Sequence, residues 1–247
     1  MGPFPTQLAF GPFRFYLYGL GLGVAATVAY YYAKCRLAKA GLATNQFWIL
    51  ATGLIISGLV GARVAHLLTN WSYYRHYPGQ WLALWNGGLA SFGGIALAIP
   101  TGLILLRRLW PELSLARFLD QLVPALLVGW AVGRILGPQF MYAGGGHQTH
   151  QWFGMYYQGQ IGKRVPVPLI QGMEDSAIWL GALALERKRQ GAGFVSGFAI
   201  LVWGLVRSLD EYLLLGQNSH SGSVGVQISG IVLGLLGATL MIRSSRN

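Results

Sequence analysis

Gly129-Trp-Ala-Val-Gly-Arg-Ile-Leu-Gly137 and Leu201-Val-Trp-Gly-Leu-Val-Arg-Ser-Leu209 each place one arginine, Arg134 or Arg207, inside a run otherwise suited to a membrane helix. A charge well inside hydrocarbon costs roughly 2.5–3.5 kcal/mol even on a lenient insertion scale, so such arginines point first to a functional site. Arg63 stands near the end of a third apolar run. Outward from these stretches the apolar runs recur from end to end: 53% of residues are apolar, only 10% are charged, and the mean hydropathy is +0.46. That balance excludes an ordinary soluble single-core domain and reads as an all-α integral membrane protein, one polytopic domain over residues 1–247. The single cysteine, Cys35, excludes an intramolecular disulfide and a thiolate metal cluster. The 36 glycines are spread through the apolar runs, which suits close helix packing in lipid. No cleavable signal peptide is expected, because no small-residue cleavage site trails the first run.

Windows of about 20 residues place seven spans near 15–33, 47–69, 82–106, 118–138, 171–186, 193–214 and 224–242. Basic residues are retained on the cytoplasmic side. One side collects Lys34, Arg36, Lys39, Arg107, Arg108, Arg117, Arg187, Lys188, Arg189, Arg243 and Arg246; the other holds only Arg14, Arg75, Lys163 and Arg164. The expected topology therefore has its N-terminus outside and its C-terminus in the cytoplasm. The net charge of +11 then lies in short cytoplasmic turns beside anionic headgroups and requires no nucleic-acid partner. In this topology His66, His76, His147, His150 and His220 fall at or near the outer face, with Glu174, Asp175, Asp210 and Glu211. Residues 139–168 form the longest loop, rich in Gly, His, Gln, Tyr and Trp, and are expected to make a small external cap.

Six stretches in chain order then carry a family resemblance: Gly11-Pro-Phe-Arg-Phe-Tyr-Leu-Tyr-Gly19, Gly58-Leu-Val-Gly-Ala-Arg-Val-Ala-His66, Leu84-Trp-Asn-Gly-Gly-Leu-Ala-Ser-Phe-Gly-Gly94, Gly129-Trp-Ala-Val-Gly-Arg-Ile135, Pro168-Leu-Ile-Gln-Gly-Met-Glu174 and Trp203-Gly-Leu-Val-Arg-Ser-Leu-Asp-Glu211. The chain resembles the prolipoprotein diacylglyceryl transferases, seven-span bacterial membrane enzymes that move a diacylglyceryl group from phosphatidylglycerol to the thiol of a lipoprotein signal peptide. The resemblance implies that reaction at the outer face of the membrane, with no metal or organic cofactor. It implies that Arg134 and Arg207 handle the phosphate as catalytic residues and that Glu211, one turn beyond Arg207, orients it. Tyr18, Arg63, His66, Gly87, Gly88, Gly93, Gly94 and Gln171 are the expected lipid- and substrate-binding positions. The expected partners are phosphatidylglycerol, other membrane lipids and a prolipoprotein signal peptide.

The chain also departs from the family pattern. After Gly-Arg-Ile the family continues Gly-Asn-Phe-Ile-Asn-Gly-Glu, whereas here the sequence is Leu136-Gly-Pro-Gln-Phe-Met-Tyr-Ala-Gly-Gly-Gly146, and Phe92 stands where many members carry a histidine. Thiol attack needs a base, because an unperturbed cysteine, with a pKa of ~8.5, is mostly protonated near neutrality. Glu211, His66, His147 or a water are the candidates. A second reading keeps the fold and arginines without the chemistry: a lipid-binding relative serving as a structural subunit of a larger membrane complex.

Blander assignments stand beside these. Arg63 can snorkel to the interface, and Arg134 and Arg207 can form structural ion pairs with Glu211, Asp210 or Glu174. His147 and His150 lack a third ligand of clear spacing, so solvated loop histidines are expected. A transporter is disfavoured by the lack of internal repeats.

Overall fold

The computed structural model describes residues 3–10, 13–83, 88, 90–188, 191–211 and 220–245. Gly87, Arg189, Arg246 and the side chain of Phe92 lie outside this description. Helix dominates: α1 (Leu17–Lys39), α2 (Phe47–Thr69), the single turn α3 (Trp71–Tyr74), α4 (Ser91–Leu109), α5 (Leu115–Leu136), α6 (Val167–Glu186), α7 (Phe194–Asp210) and α8 (His220–Ser245). A long helix coincides with each expected span, consistent with a helical membrane protein. By length and composition alone, three described stretches are apolar enough to cross a membrane, Phe47–Thr69, Leu115–Phe140 and Val226–Ser245. A two-stranded antiparallel hairpin, β1 (Gln7–Phe10) and β2 (Phe13–Tyr16), precedes α1 and departs from the all-helical reading.

Two boundaries differ from expectation for physical reasons. The third helix begins at Ser91 rather than near 82: Gly88 has φ +79°, a left-handed value that glycine adopts freely and a right-handed helix does not contain. The fifth begins at Val167 rather than 171, with Pro168 in its first turn, where a missing N–H leaves no helical bond unmade.

The chain forms two compact units, residues 1–40 with 116–247, and residues 41–115. In the smaller unit α2 and α4 cross at glycines. A side chain on Gly61 would strike the backbone of Gly93, and one on Gly94 would come 3.0 Å from the Gly58 carbonyl. In the larger unit α7 and α8 meet similarly at Gly197, Gly204, Gly230 and Gly237, and Ser208 Oγ donates to the Gln227 carbonyl at 3.0 Å. At these crossings the glycines are close-approach surfaces, as their pattern implied, whereas Gly19 and Gly23 of α1 face open space.

At one end of the larger unit, α5 carries an internal proline, Pro124. Proline has no N–H, so the carbonyl four residues earlier loses its helical donor. That carbonyl belongs to Asp120 and accepts Arg36 Nη2 at 2.9 Å, while Arg36 Nε reaches the Gln121 carbonyl at 2.9 Å. The same guanidinium pairs with Glu186 at the end of α6. The Asp120 carboxylate accepts the Gly193 and Ser196 N–H groups at 2.6 and 2.8 Å, capping α7 from α5. Gly193 there has φ +94°.

Candidate functional site

Farther along the same three helices, Leu127 of α5, Ile178 of α6 and Ala199 of α7 form an apolar core with Val123, Trp179, Val202 and Trp203 packed around it. Helical periodicity places Arg134 and Arg207 about two turns beyond Leu127 and Ala199, and Asp175 about one turn back from Ile178 on the oppositely directed α6. The buried positions Gln171, Asp175, Ile178 and Ala182 recur at helical spacing and mark the inward face of α6. Both arginines occupy the last turn of their helices, where cations complement the helix dipole.

Arg207 is 6% exposed and heavily engaged. Its Nη2 donates to Asp175 Oδ1 at 3.2 Å and lies 3.5 Å from Glu174 Oε2; its Nη1 lies 2.9 Å from Asp210 Oδ2. The Asp210 contact is an ion pair without hydrogen-bond alignment, since Nη1 finds no aligned acceptor. Gln171 Nε2 donates to the same Asp210 oxygen at 3.0 Å, tying α6 to α7. Trp203 lies beneath the guanidinium, 5.6 Å from ring centre to Cζ. These carboxylates, with the Gln171 carbonyl that accepts Nη2 at 3.5 Å, are the polar partners of Arg207 among the described residues. The expected pairing with Glu211 is not among them: the chain leaves α7 at Asp210, and Glu211 follows in a wider turn.

Arg134 differs. It is within electrostatic reach of Arg207, Asp175, Asp210 and Tyr18, yet no hydrogen bond or ion pair fixes it among the described residues, and its Nε is buried without a partner. Gln171 Oε1, Asp175 Oδ2 and Arg207 Nε are likewise buried without a hydrogen bond, and Glu174 Oε2 is buried with its ion pair to Arg207 but no aligned hydrogen bond. So many unmet donors and acceptors in one place are unusual for a packed interior and fit a site built for a polar group. Tyr18 packs beside Gly137 just past α5, and Gly21 of α1 abuts the Leu136 carbonyl. The structure therefore brings together Tyr18, Arg134, Gln171 and Arg207. Asp175, fully buried, is the member the sequence reading left among solvent-side acids; its signal was its place on the inward stripe of α6.

In the smaller unit Arg63, His66 and Gly88 form a group of their own. Arg63 is 5% exposed and donates to the carbonyls of Trp81, Gln80 and Gly88 at 2.8, 2.5 and 2.9 Å, with its guanidinium over the Tyr74 ring. It does not snorkel; it ties Gln80, Trp81 and Gly88 to α2. A side chain on Gly88 would strike the His66 imidazole, which stacks edge-on against Tyr74. Gly93 and Gly94 face the backbone of α2 at its crossing with α4.

The cap folds on its own contacts. Tyr157 OH donates to Gln139 Oε1 at 2.7 Å, and Gln160 exchanges two 2.9 Å bonds with the Gly145 backbone. Burial pushes the Tyr157 phenol up to about 12, against the opposing effect of its bond to Gln139.

Comparison with known proteins settles the kinship. The profile of the prolipoprotein diacylglyceryl transferases matches residues 5–243. The chain belongs to the prolipoprotein diacylglyceryl transferase family. Among its relatives are proteins named phosphatidylglycerol-prolipoprotein diacylglyceryl transferase. That of Bacillus velezensis is 32% identical over 130 residues, 53% of this chain and 47% of the relative. The Geobacter sulfurreducens protein is 29% identical over 255 residues, covering 98% of this chain and 95% of the relative; the Thermotoga maritima protein is 28% identical, over 96% and 84%. The chain thus aligns with about half the length of the Bacillus relative and most of the other two.

Proposed function

We propose that this chain transfers a diacylglyceryl group from phosphatidylglycerol to the lipobox cysteine of prolipoproteins, at the outer face of the bacterial cytoplasmic membrane. The names of its relatives and the arginine site support this reading together. In the proposal the chain crosses the membrane seven times with its N-terminus outside, as its basic-residue asymmetry favours.

One observation carries the chemistry: Arg134 is half-buried, with its Nε buried and without a hydrogen-bond partner, within electrostatic reach of an Arg207 whose charge three carboxylates already share. Arg134 is thus the group open to a phosphodiester, and its planar fork matches two phosphate oxygens. As the glycerol phosphate departs, negative charge grows on a phosphate oxygen, and a preorganised arginine in a water-poor site stabilises that growth. Arg207 organises the site, held by Asp175, Asp210 and Glu174, while Tyr18 and Gln171 line it.

The test is transfer of label from phosphatidylglycerol to a lipobox peptide by the purified chain. Label on the peptide cysteine, abolished by Arg134→Ala in a protein that still folds, is the expected result. No transfer by intact protein that retains lipid would favour the structural-subunit reading instead.

A further inference from the structure

We infer that Glu174 is the proton acceptor for the attacking thiol, an inference that rests on the transferase reading above. Phe92 cannot act as a base, and the larger unit gathers three carboxylates around one guanidinium. Two of them are committed. Asp175 is 0% exposed and bonds Arg207 Nη2, and Asp210, 6% exposed at its side chain, accepts Gln171 Nε2. Glu174 differs in both respects. Its side chain is 27% exposed, and it is held more loosely, by a 3.5 Å ion pair with Arg207 and a contact with Asp210, with Oε2 buried and without an aligned hydrogen bond.

Helix geometry explains the division. Successive residues of an α-helix point about 100° apart, so Asp175 faces the interior between α5 and α7 while Glu174 is the one partly exposed carboxylate of the three. The charged groups facing Glu174 are Arg207 and Asp210 from α7 and Asp175 from its own helix; Arg134 faces the cluster from α5. Three carboxylates against two guanidiniums leave one negative charge over, which a single proton neutralises.

The step balances. The cysteine S–H bond breaks and its proton passes to the Glu174 carboxylate. The sulfur forms a bond to the terminal glycerol carbon bearing the phosphate ester as that C–O bond breaks, and the electron pair leaves with the glycerol phosphate, facing Arg134. Glu174 then returns its proton to the departing phosphate monoester, restoring the carboxylate.

The experiment uses the full chain in phosphatidylglycerol-containing vesicles with two lipobox peptides, one bearing cysteine and one bearing selenocysteine, which ionises near neutrality without help. Glu174→Gln should lower kcat for the cysteine peptide by about 10²-fold or more, the usual scale of lost general-base catalysis, leaving KM for phosphatidylglycerol unchanged. The residual rate should climb with pH toward the thiol's own ionisation at ~8.5, and the selenocysteine peptide should restore most of the rate. Glu174→Asp, with its carboxylate drawn back, should give an intermediate rate and the same rescue, which keeps the question open to test should the glutamine variant fold poorly. Unchanged turnover in folded Glu174→Gln, or equal loss with both peptides, overturns the role of Glu174 alone. No transfer by the unsubstituted chain overturns the transferase reading, and this inference with it.

Discussion

Asp175, fully buried on α6, accepts a hydrogen bond from Nη2 of Arg207 at 3.2 Å across the interface with α7. Breaking a buried pair from one side strands the other charge, at a cost of about 3–5 kcal/mol. Asp175→Ala should therefore destabilise the chain strongly, read as a lower thermal midpoint in detergent. Replacing both partners with apolar residues of similar volume, as in Asp175→Leu with Arg207→Met, should recover most of that stability without restoring transfer. A double variant no more stable than the single one would show that the pair is not the main constraint.

Arg134 should behave in the opposite way. It has no partner among the described residues to strand, so Arg134→Ala should leave the thermal midpoint within a few degrees while abolishing transfer. Arg134→Lys supplies a point charge without the planar fork and should restore only a small part of the rate. Binding of labelled phosphatidylglycerol, measured beside turnover, checks that the loss follows the phosphate.

The cap should open in alkali. The folded state raises the Tyr157 pKa from its ordinary 10 to about 12, so it favours the neutral phenol. The stability this provides is complete below pH 10 and is lost as pH rises toward 12. Proteolysis within residues 141–166 should accelerate across that window. Tyr157→Phe should remove that titration while costing about 0.5–1.5 kcal/mol for the lost bond to Gln139.

Gly61→Leu tests the close crossing of α2 and α4. The added side chain meets the Gly93 backbone, which cannot yield as a flexible side chain would. Overpacking of this kind typically costs about 1–3 kcal/mol, and cleavage within residues 41–115 under limited proteolysis should report it. Gly58→Ala, a few residues away, has ordinary contact space before it, 3.9 Å to the Ala98 Cβ, and should be tolerated.

Much of this architecture was legible in the pattern of apolar runs because seven long helices follow from hydropathy and helical length alone. Arg134 and Arg207 stood out for a related reason: a charge in an apolar run has no cheap explanation. What the sequence hid was partnership. Arg207 and Glu211 share a face four residues apart, yet the helix ends between them, and the acids that bind Arg207 come mostly from α6. Arg63 showed the converse, since backbone carbonyls of a neighbouring segment leave no trace in side-chain identity. Gly93 and Gly94 look alike in sequence whether they admit a ligand or another helix; only the facing Gly58 and Gly61 on α2 distinguish the two.

The donors that Arg36 lends to the Asp120 and Gln121 carbonyls have a genetic consequence. Pro124 creates the need that Arg36 meets, so the two positions should be epistatic. Arg36→Leu should be harmful beside Pro124 because it exposes an orphaned carbonyl and strands Glu186. With Pro124→Ala and Glu186→Gln in place, much of that harm should vanish. A gene library varying all three codons should recover Arg36 losses chiefly in company with those changes, so this corner of the molecule would drift as a linked block rather than residue by residue.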